Sequence, residues 1–339
     1  LEALWGRPGS GAIAPARGIA FGVATSAGWL RREEAIMGTA VQAELWAGDR
    51  RQGEAALEAV MQEMHRIDRT MSPHRDDSEL SRINRDAGAR PVRLSDEMFD
   101  LLARAIEFSR WSDGAFDISY AAVGQLYDYR RGVQPGEAER TRACAAVGWQ
   151  QLILDPERRT LRFGLPGMRI DLGGFAKGHA VDNAVAILRE RGIEHASVAA
   201  GGDSHLMGDR RGRPWTLAIR DPRRATEVVA LLPLENVAVS TSGDYERCFI
   251  GADGRRHHHL LDPRTGESPR AVRSVTVIAG DGLTTEALSK TVFVLGSARG
   301  LKLIDSLPGV DAVVVDADGV LHASNGLLDG GPTQAAGHA

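Results

Sequence analysis

Apolar residues recur along this chain with two different periods, and the changes of period mark its elements. Val41, Ala43 and Leu45 alternate with polar neighbours between Met37 and Trp46, which predicts a strand. From Gly53 to Arg69 the spacing becomes helical, with Ala56, Leu57, Val60, Met61, Met64 and Ile67 on one face. A second amphipathic helix, Ser95 to Ser112, carries Met98, Leu101, Leu102, Ala105 and Ile106. Leu152 to Phe163 alternates around Asp155-Pro156 and predicts a hairpin. Met168, Ile170 and Leu172 then read as a short strand that runs into Gly173-Gly174, followed by a helix with Val181, Val185, Ile187 and Leu188 on its apolar side. Further strands are predicted over 196–203, 215–220, 227–232, 237–245 and 272–279, a helix over 286–295, and a closing hairpin over 311–315 and 320–323 around Asp318-Gly319.

The segment between the predicted strand at 168–172 and its helix holds the first candidate chemistry. Bare N–H groups at a glycine turn and helix start suit a phosphate, and Lys177 adds a point charge. A tight turn with a solvated lysine accounts for the same residues. The spacing is neither that of a P-loop nor that of a dinucleotide fingerprint. Other polar positions carry paired readings. Ser78 after Pro73 caps a short helix or faces a site. Asp117, in a glycine turn leading into a predicted strand at 113–119, faces a site or bonds the strand start. Gly201, Gly202 and Asp203 end a strand, where two glycines let a ligand approach the backbone. Ser242, Gly243 and Asp244 end another. His257, His258 and His259 are consecutive, so at most the outer two share a strand face, which is a weak metal pattern. Asp262 to Gly266 is a turn sequence, with Pro263 fixing φ and Gly266 releasing it.

Composition narrows the class. A chain of 339 residues suggests about two domains or one large one, and the net charge of −4 with no basic run excludes a general nucleic-acid binder. Cys144 and Cys248 are the only cysteines, too few for a disulfide framework or a cysteine metal site, and they leave the redox compartment open. Residues 1–34 read as a tail and 329–339 as another. Within the first, Gly18 to Leu30 is mostly apolar between Arg17 and Arg31-Arg32, and includes Ala24-Thr25-Ser26-Ala27. This fits the end of a secretory signal with a small-residue cleavage site, or a packing arm. It is short for a membrane span, and with no cysteine near it no lipid anchor is expected there.

Eight blocks in order, MGTAV, SELSRIN, GAFDIS, IDLGGFAKGHAVD, AGGD, STSGDYER, HHLLDPRTG and TEALSKTVFVLG, resemble the FAD:protein FMN transferases, the ApbE-like flavin transferases, from Met37 to about Gly326. The resemblance implies an α+β, T-fold-like fold over residues 35–328, with mixed sheets, helices and two lobes around one flavin site. It implies that FAD, usually with Mg²⁺, yields a phosphoester between FMN and a Thr or Ser hydroxyl of another protein, with release of AMP. The acceptor would be a membrane or periplasmic redox protein and the setting extracytoplasmic. Carried over by position, Lys177 with Gly173 and Gly174 would meet the diphosphate and Asp182 the adenosine side. Gly201, Gly202 and Asp203 would line the flavin site, with Ser242, Gly243, Asp244, Met71, Ser78 and Asp117 as further pocket residues. His259 would be the reactive histidine.

The metal ligands are where the chain departs from that pattern. The carbonyl of Ala176 is retained, but the usual aspartate and threonine are Glu286 and Lys290. Mg²⁺ tolerates misplaced ligands poorly, and an ammonium about 4 Å from it is repelled by roughly 8 kcal/mol at an effective dielectric of about 20. Lys290 then turns away, replaces the metal as the cation, or leaves the site metal-free; a surface helix lysine paired with Glu286 at i, i+4 accounts for the same two residues. Weaker Mg²⁺ binding is expected, with a FAD pyrophosphatase or a FAD-binding protein that has lost catalysis as the alternatives to a transferase.

Overall fold

In the computed structural model, residues 26–328 are described apart from 225 and 253; the apolar stretch up to residue 25 and the tail at 329–339 lie outside the described residues. Gly28–Ile36 (β1) and Thr39–Ala47 (β2) form a hairpin turned by Met37 and Gly38, both at positive φ (54° and 70°). Two left-handed residues give the turn whose twist matches its strands. The folded part therefore begins ahead of residue 35, inside the expected tail. β1 is an edge strand whose centre is Arg31 to Glu34, so charge masks its alternation.

Asp49 caps the long helix α1 (Arg50–Met71), its carboxylate accepting from the N–H groups of Arg51 and Gln52. A second lobe follows: α2 (Glu79–Asp86), β3 (Val92–Arg93), α3 (Asp96–Trp111), α4 (Ala121–Gly124), α5 (Glu137–Cys144), β4 (Leu152–Asp155) and β5 (Thr160–Phe163). The three strands pair in the order β3-β5-β4. After α6 (Ala176–Glu190) come β6 (Ala196–Ala200), β7 (Asp203–Met207), β8 (Trp215–Arg220), β9 (Val228–Leu234), β10 (Val237–Gly243), β11 (Cys248–Ile250), β12 (Arg256–His258) and β13 (Val272–Ala279). The chain closes with α7 (Gly282–Leu295), α8 (Ser297–Ile304), β14 (Asp311–Asp316) and β15 (Leu321–Ala323), then a last helical turn.

The main sheet has eight strands in the order β1-β2-β6-β7-β10-β13-β14-β15, each neighbour antiparallel. Helices α1, α6, α7 and α8 cover one face, α1 over β1 and β2, α6 over β6 and β7, α7 over β10 and β13, and α8 against β14. On β10, Val237 and Val239 join a separate apolar cluster with Trp215, Leu234, Leu206 and Ile278, made with the β8–β9 hairpin. The alternate residues Ser240 and Ser242 hydrogen-bond Ser289 of α7. A polar row thus runs under α7, inside an otherwise apolar interface.

Two predicted strands are not strands. Residues 168–172 have no ladder partner; the Asn84 side chain accepts from Ile170 N–H (2.8 Å) and donates to its carbonyl (2.9 Å), and Asp171 N–H donates to the Ile118 carbonyl (3.0 Å), so one amide and one loop carbonyl stand in for a neighbouring strand. Residues 118–120 form a 3₁₀ turn, because Asp117 accepts from the Ser119 N–H and hydroxyl and holds the chain in a cap.

Candidate active site

The α6 start is fixed from both lobes. Phe175, fully buried at the position before the helix, packs on Phe108 of α3 (centroids 5.8 Å apart) and on Phe116 (5.5 Å). No residue of its own side-chain caps α6. The cap comes from α7: the Glu286 carboxylate accepts from Gly178 N–H through Oε2 at 2.7 Å. An acid in this place satisfies an orphan helix donor and the positive end of the helix dipole together.

Lys177, in the first turn, reaches into the same space. Its Nζ donates to the Gly173 carbonyl (2.9 Å), pairs with Asp203 Oδ2 (3.0 Å) and contacts Glu286 Oε1. Lys290, one turn after Glu286, places Nζ 3.3 Å from Glu286 Oε1 and 4.0 Å from Asp203 Oδ1. Asp203 also accepts from the Ser240 hydroxyl at 2.5 Å. Two buried carboxylates thus sit between two ammonium groups. Burial works to raise the Asp203 pKa, but Lys177, Lys290 and the Ser240 hydrogen bond outweigh it, and the group ends below its usual value. Burial likewise works to lower Lys177, and Asp203 and Glu286 outweigh it, so its pKa rises.

His259 follows β12. Its N–H donates to the Arg247 carbonyl, while its ring Nδ1 is buried with no protein partner. Burial first, then the positive charges of Arg247, His258, Lys290 and Lys177, push its pKa down to about 3, so the ring is neutral near pH 7. The other two histidines are accounted for otherwise. His258 is buried against Phe293 and bonds the Pro269 carbonyl, and His257 stacks on Phe249. The three make no metal triad. Asp262 to Gly266 forms the expected turn, with Asp262 accepting from Arg264 and Gly266 at positive φ.

The structure therefore brings Gly173, Gly174, Lys177, Asp203, Ser242, Glu286 and Lys290 together, with His259 in the field of both lysines. Other sequence-chosen residues have bonds of their own. Met71 is core at the end of α1, and Ser78 caps α2 by accepting from Ser81 N–H. Asp117 accepts from Trp149 N–H as well as Ser119, and burial raises its pKa despite those bonds. Gly201 and Gly202 form the two-residue turn between β6 and β7, with Gly201 at φ 65° and Gly202 against the Thr241 backbone. Gly243 lies under the Tyr245 ring, and Asp244 is gripped by both terminal nitrogens of Arg223. Asp182 accepts from Gly282 N–H (2.7 Å), Leu283 N–H (3.1 Å) and His205 Nδ1 (2.9 Å), which anchors α7 to α6 one turn ahead of Glu286. Replacing Asp182 by alanine should cost about 2 kcal/mol through lost charge-assisted caps, read as a lower urea midpoint at unchanged slope. No loss would mean that the two helices do not depend on this link.

Sequence reasoning missed Arg247, Ser240 and Ser289. All three lie inside the ordered blocks, Ser240 and Arg247 at the two ends of STSGDYER and Ser289 in TEALSKTVFVLG. The serines carry a further signal, as polar residues at core spacing on β10 and α7.

The expected Mg²⁺ can be set against this donor set. Glu286 Oε1 is shared by two ammonium groups and Oε2 is taken by a helix N–H, and the position of the usual neutral ligand is itself a cation. The residues do not fit Mg²⁺, which needs oxygen donors at octahedral positions.

The model of the ApbE family matches residues 37–314, most of the chain. The chain belongs to the ApbE family. Among ApbE relatives, the FAD:protein FMN transferase of Treponema pallidum is 31% identical over 317 residues, 88% of this chain and 87% of that protein. One from Klebsiella pneumoniae is 31% identical over 284 residues, 83% of this chain and 87% of that protein. Of solved ApbE structures, the Thermotoga maritima protein superposes with a TM-score of 0.82 at 32% identity, covering 89% of this chain and 98% of its own. The flavin transferase ApbE of Vibrio cholerae gives 0.79 at 28% identity, covering 90% and 99%. The α+β, two-lobed expectation agrees with this ApbE architecture.

Proposed function

We propose that this chain is a FAD:protein FMN transferase that flavinylates a Thr or Ser hydroxyl of a redox protein at or outside the cytoplasmic membrane. One observation carries the reading: two lysines converge on the Gly173-Gly174 turn and α6 start, within the electrostatic reach of a neutral His259 that has an unpartnered ring nitrogen. Such a place holds a diphosphate and removes a proton.

In the step, the acceptor hydroxyl oxygen bonds to the FMN-side phosphorus of FAD. The bond from that phosphorus to the bridging oxygen breaks, and AMP leaves with that oxygen. The hydroxyl proton passes to His259 and then to solvent. A doubly charged diphosphate becomes a singly charged phosphodiester, AMP as its dianion above about pH 6, and one proton. Lys177, held at the Gly173 carbonyl, meets the charge on the phosphate oxygens.

The test is incubation with FAD and an acceptor protein of the family's kind. Expected are an FMN-sized mass gain that survives denaturation and AMP in equal amount. AMP with free FMN and no protein-bound flavin would make the enzyme a pyrophosphatase. The depressed His259 pKa adds a pH prediction. A base that stays neutral down to about pH 3 in the free enzyme leaves kcat/KM for FAD without a histidine inflection near pH 6.5. A fall in kcat/KM centred there, lost in His259→Asn, would contradict a ring held neutral by its surroundings.

A further inference from the structure

Lys290 lies across the turn that the phosphates would occupy. A Cβ placed on Gly174 would meet Lys290 Cε at 3.5 Å and its Cδ and Cγ at 3.9 Å, so the lysine stem runs along the Gly174 backbone. Its head is directed at Glu286 and Asp203, not at solvent, and the side chain is only 19% exposed. The i, i+4 pairing with Glu286 that the sequence allows is present, but it is turned inward onto a buried carboxylate and not laid on the surface. The carboxylates already have two positive charges between them, from Lys177 and Lys290. A divalent ion added here would stand close to both ammonium groups and would have to strip Glu286 from the α6 cap.

We propose that Lys290 replaces the divalent cation of this site, so that FAD is held and cleaved by two lysines without metal. This rests on the FAD:protein FMN transferase reading. The diphosphate competes with Asp203 and Glu286 for the two ammonium groups. Lys177, bonded to the Gly173 carbonyl, and Lys290, laid over Gly174, approach the phosphates from the two ends of one turn. During transfer Lys290 neutralises charge that builds on the departing bridging oxygen and its phosphate. It supplies one charge where a divalent ion supplies two. Arg247, exposed and with no ion pair among the described residues, adds a further positive charge on the His259 side.

The experiment uses the whole chain, stripped with EDTA, with Mn²⁺ as the metal probe. Free Mn²⁺ is followed by electron paramagnetic resonance, FAD binding by flavin fluorescence, and AMP release with acceptor present. For the natural chain we expect Mn²⁺ to stay free with or without FAD, and FAD affinity and AMP release to be unchanged by EDTA or added Mg²⁺. Lys290→Gln should weaken FAD binding by about 10- to 100-fold, the loss of one charged contact, and Lys290→Arg should recover part of it. The double change Glu286→Asp with Lys290→Thr should bind about one Mn²⁺ per chain once FAD is present, and its AMP release should stop with EDTA. One Mn²⁺ per natural chain, or AMP release that EDTA abolishes and Mg²⁺ restores, would overturn the proposal while leaving the transferase reading intact. Absence of FAD binding by both the natural chain and the metal-loaded double variant would instead remove the FAD reading, and the proposal with it.

Discussion

Lys177→Met is expected to abolish most turnover and to destabilise the fold at neutral pH by about 3–5 kcal/mol, the cost of removing one partner from a buried charged cluster. Glu286 is fully buried and the Asp203 side chain is 3% exposed, so neither carboxylate can turn to water when the ammonium is gone. Lys290 is left to serve both. The sign of the pH dependence follows from Asp203. Its folded pKa lies below the unfolded value of about 3.9, so its contribution is present above that value and is lost as pH falls through the folded pKa. In the variant, a carboxylate without its lysine is raised instead and takes up a proton in the folded state. The gap between natural chain and variant should therefore be widest near pH 8 and narrow toward pH 4, where the variant's penalty is relieved while the natural Asp203 contribution persists, read from urea midpoints at both. Activity should fall by about 10²–10³, since a charged donor at the phosphates is lost. An equal stability gap at both pH values would mean that Lys177 acts by packing and not by charge.

What could be read in the sequence depended on how much of each residue's environment is local. Helices α1 and α3 and the β4–β5 hairpin have regular apolar periods, and their serine or aspartate caps lie next to them. β1 was hidden by the charges of an edge strand. β7 was hidden because Asp203 and His205, buried in it, are polar for the sake of the site. At 168–172 the alternation was real, but its partners are an asparagine 86 positions away and the carbonyl of Ile118, not a strand. The site divides the same way. Lys177 stood out because its turn is local, whereas the pairing of Lys177 with Glu286 spans 109 positions and no period records it. Motif order placed Glu286 and Lys290 at the site. Which way Lys290 points is set by contacts that no local pattern records, its stem lying along the Gly174 backbone and its head at Glu286.

The glycines of the same stretch carry the other large prediction, because the sequence gives them one appearance and the structure two different jobs. A Cβ on Gly178 would lie 2.6 Å from the Gly282 carbonyl carbon and 3.0 Å from Leu283 N, both backbone atoms of α7. A Cβ on Gly282 would in turn lie 2.7 Å from the Gly178 carbonyl oxygen. Here α6 and α7 touch backbone to backbone, and neither side can yield by turning a side chain. Gly178→Ala must push the helices apart, which breaks the Glu286 cap on Gly178 N–H and strains the Asp182 bonds to α7. About 3 kcal/mol or more of stability should be lost, the upper end of what overpacking costs, together with most FAD binding as Glu286 and Lys290 move with α7. Gly174→Ala meets only the flexible Lys290 stem at ordinary contact distance, so its stability should change by less than about 1 kcal/mol. Denaturation of the two variants side by side separates them. Equal losses would mean that the α6–α7 contact is looser than the structure has it, and with it the placement of Glu286 and Lys290 over the phosphate turn.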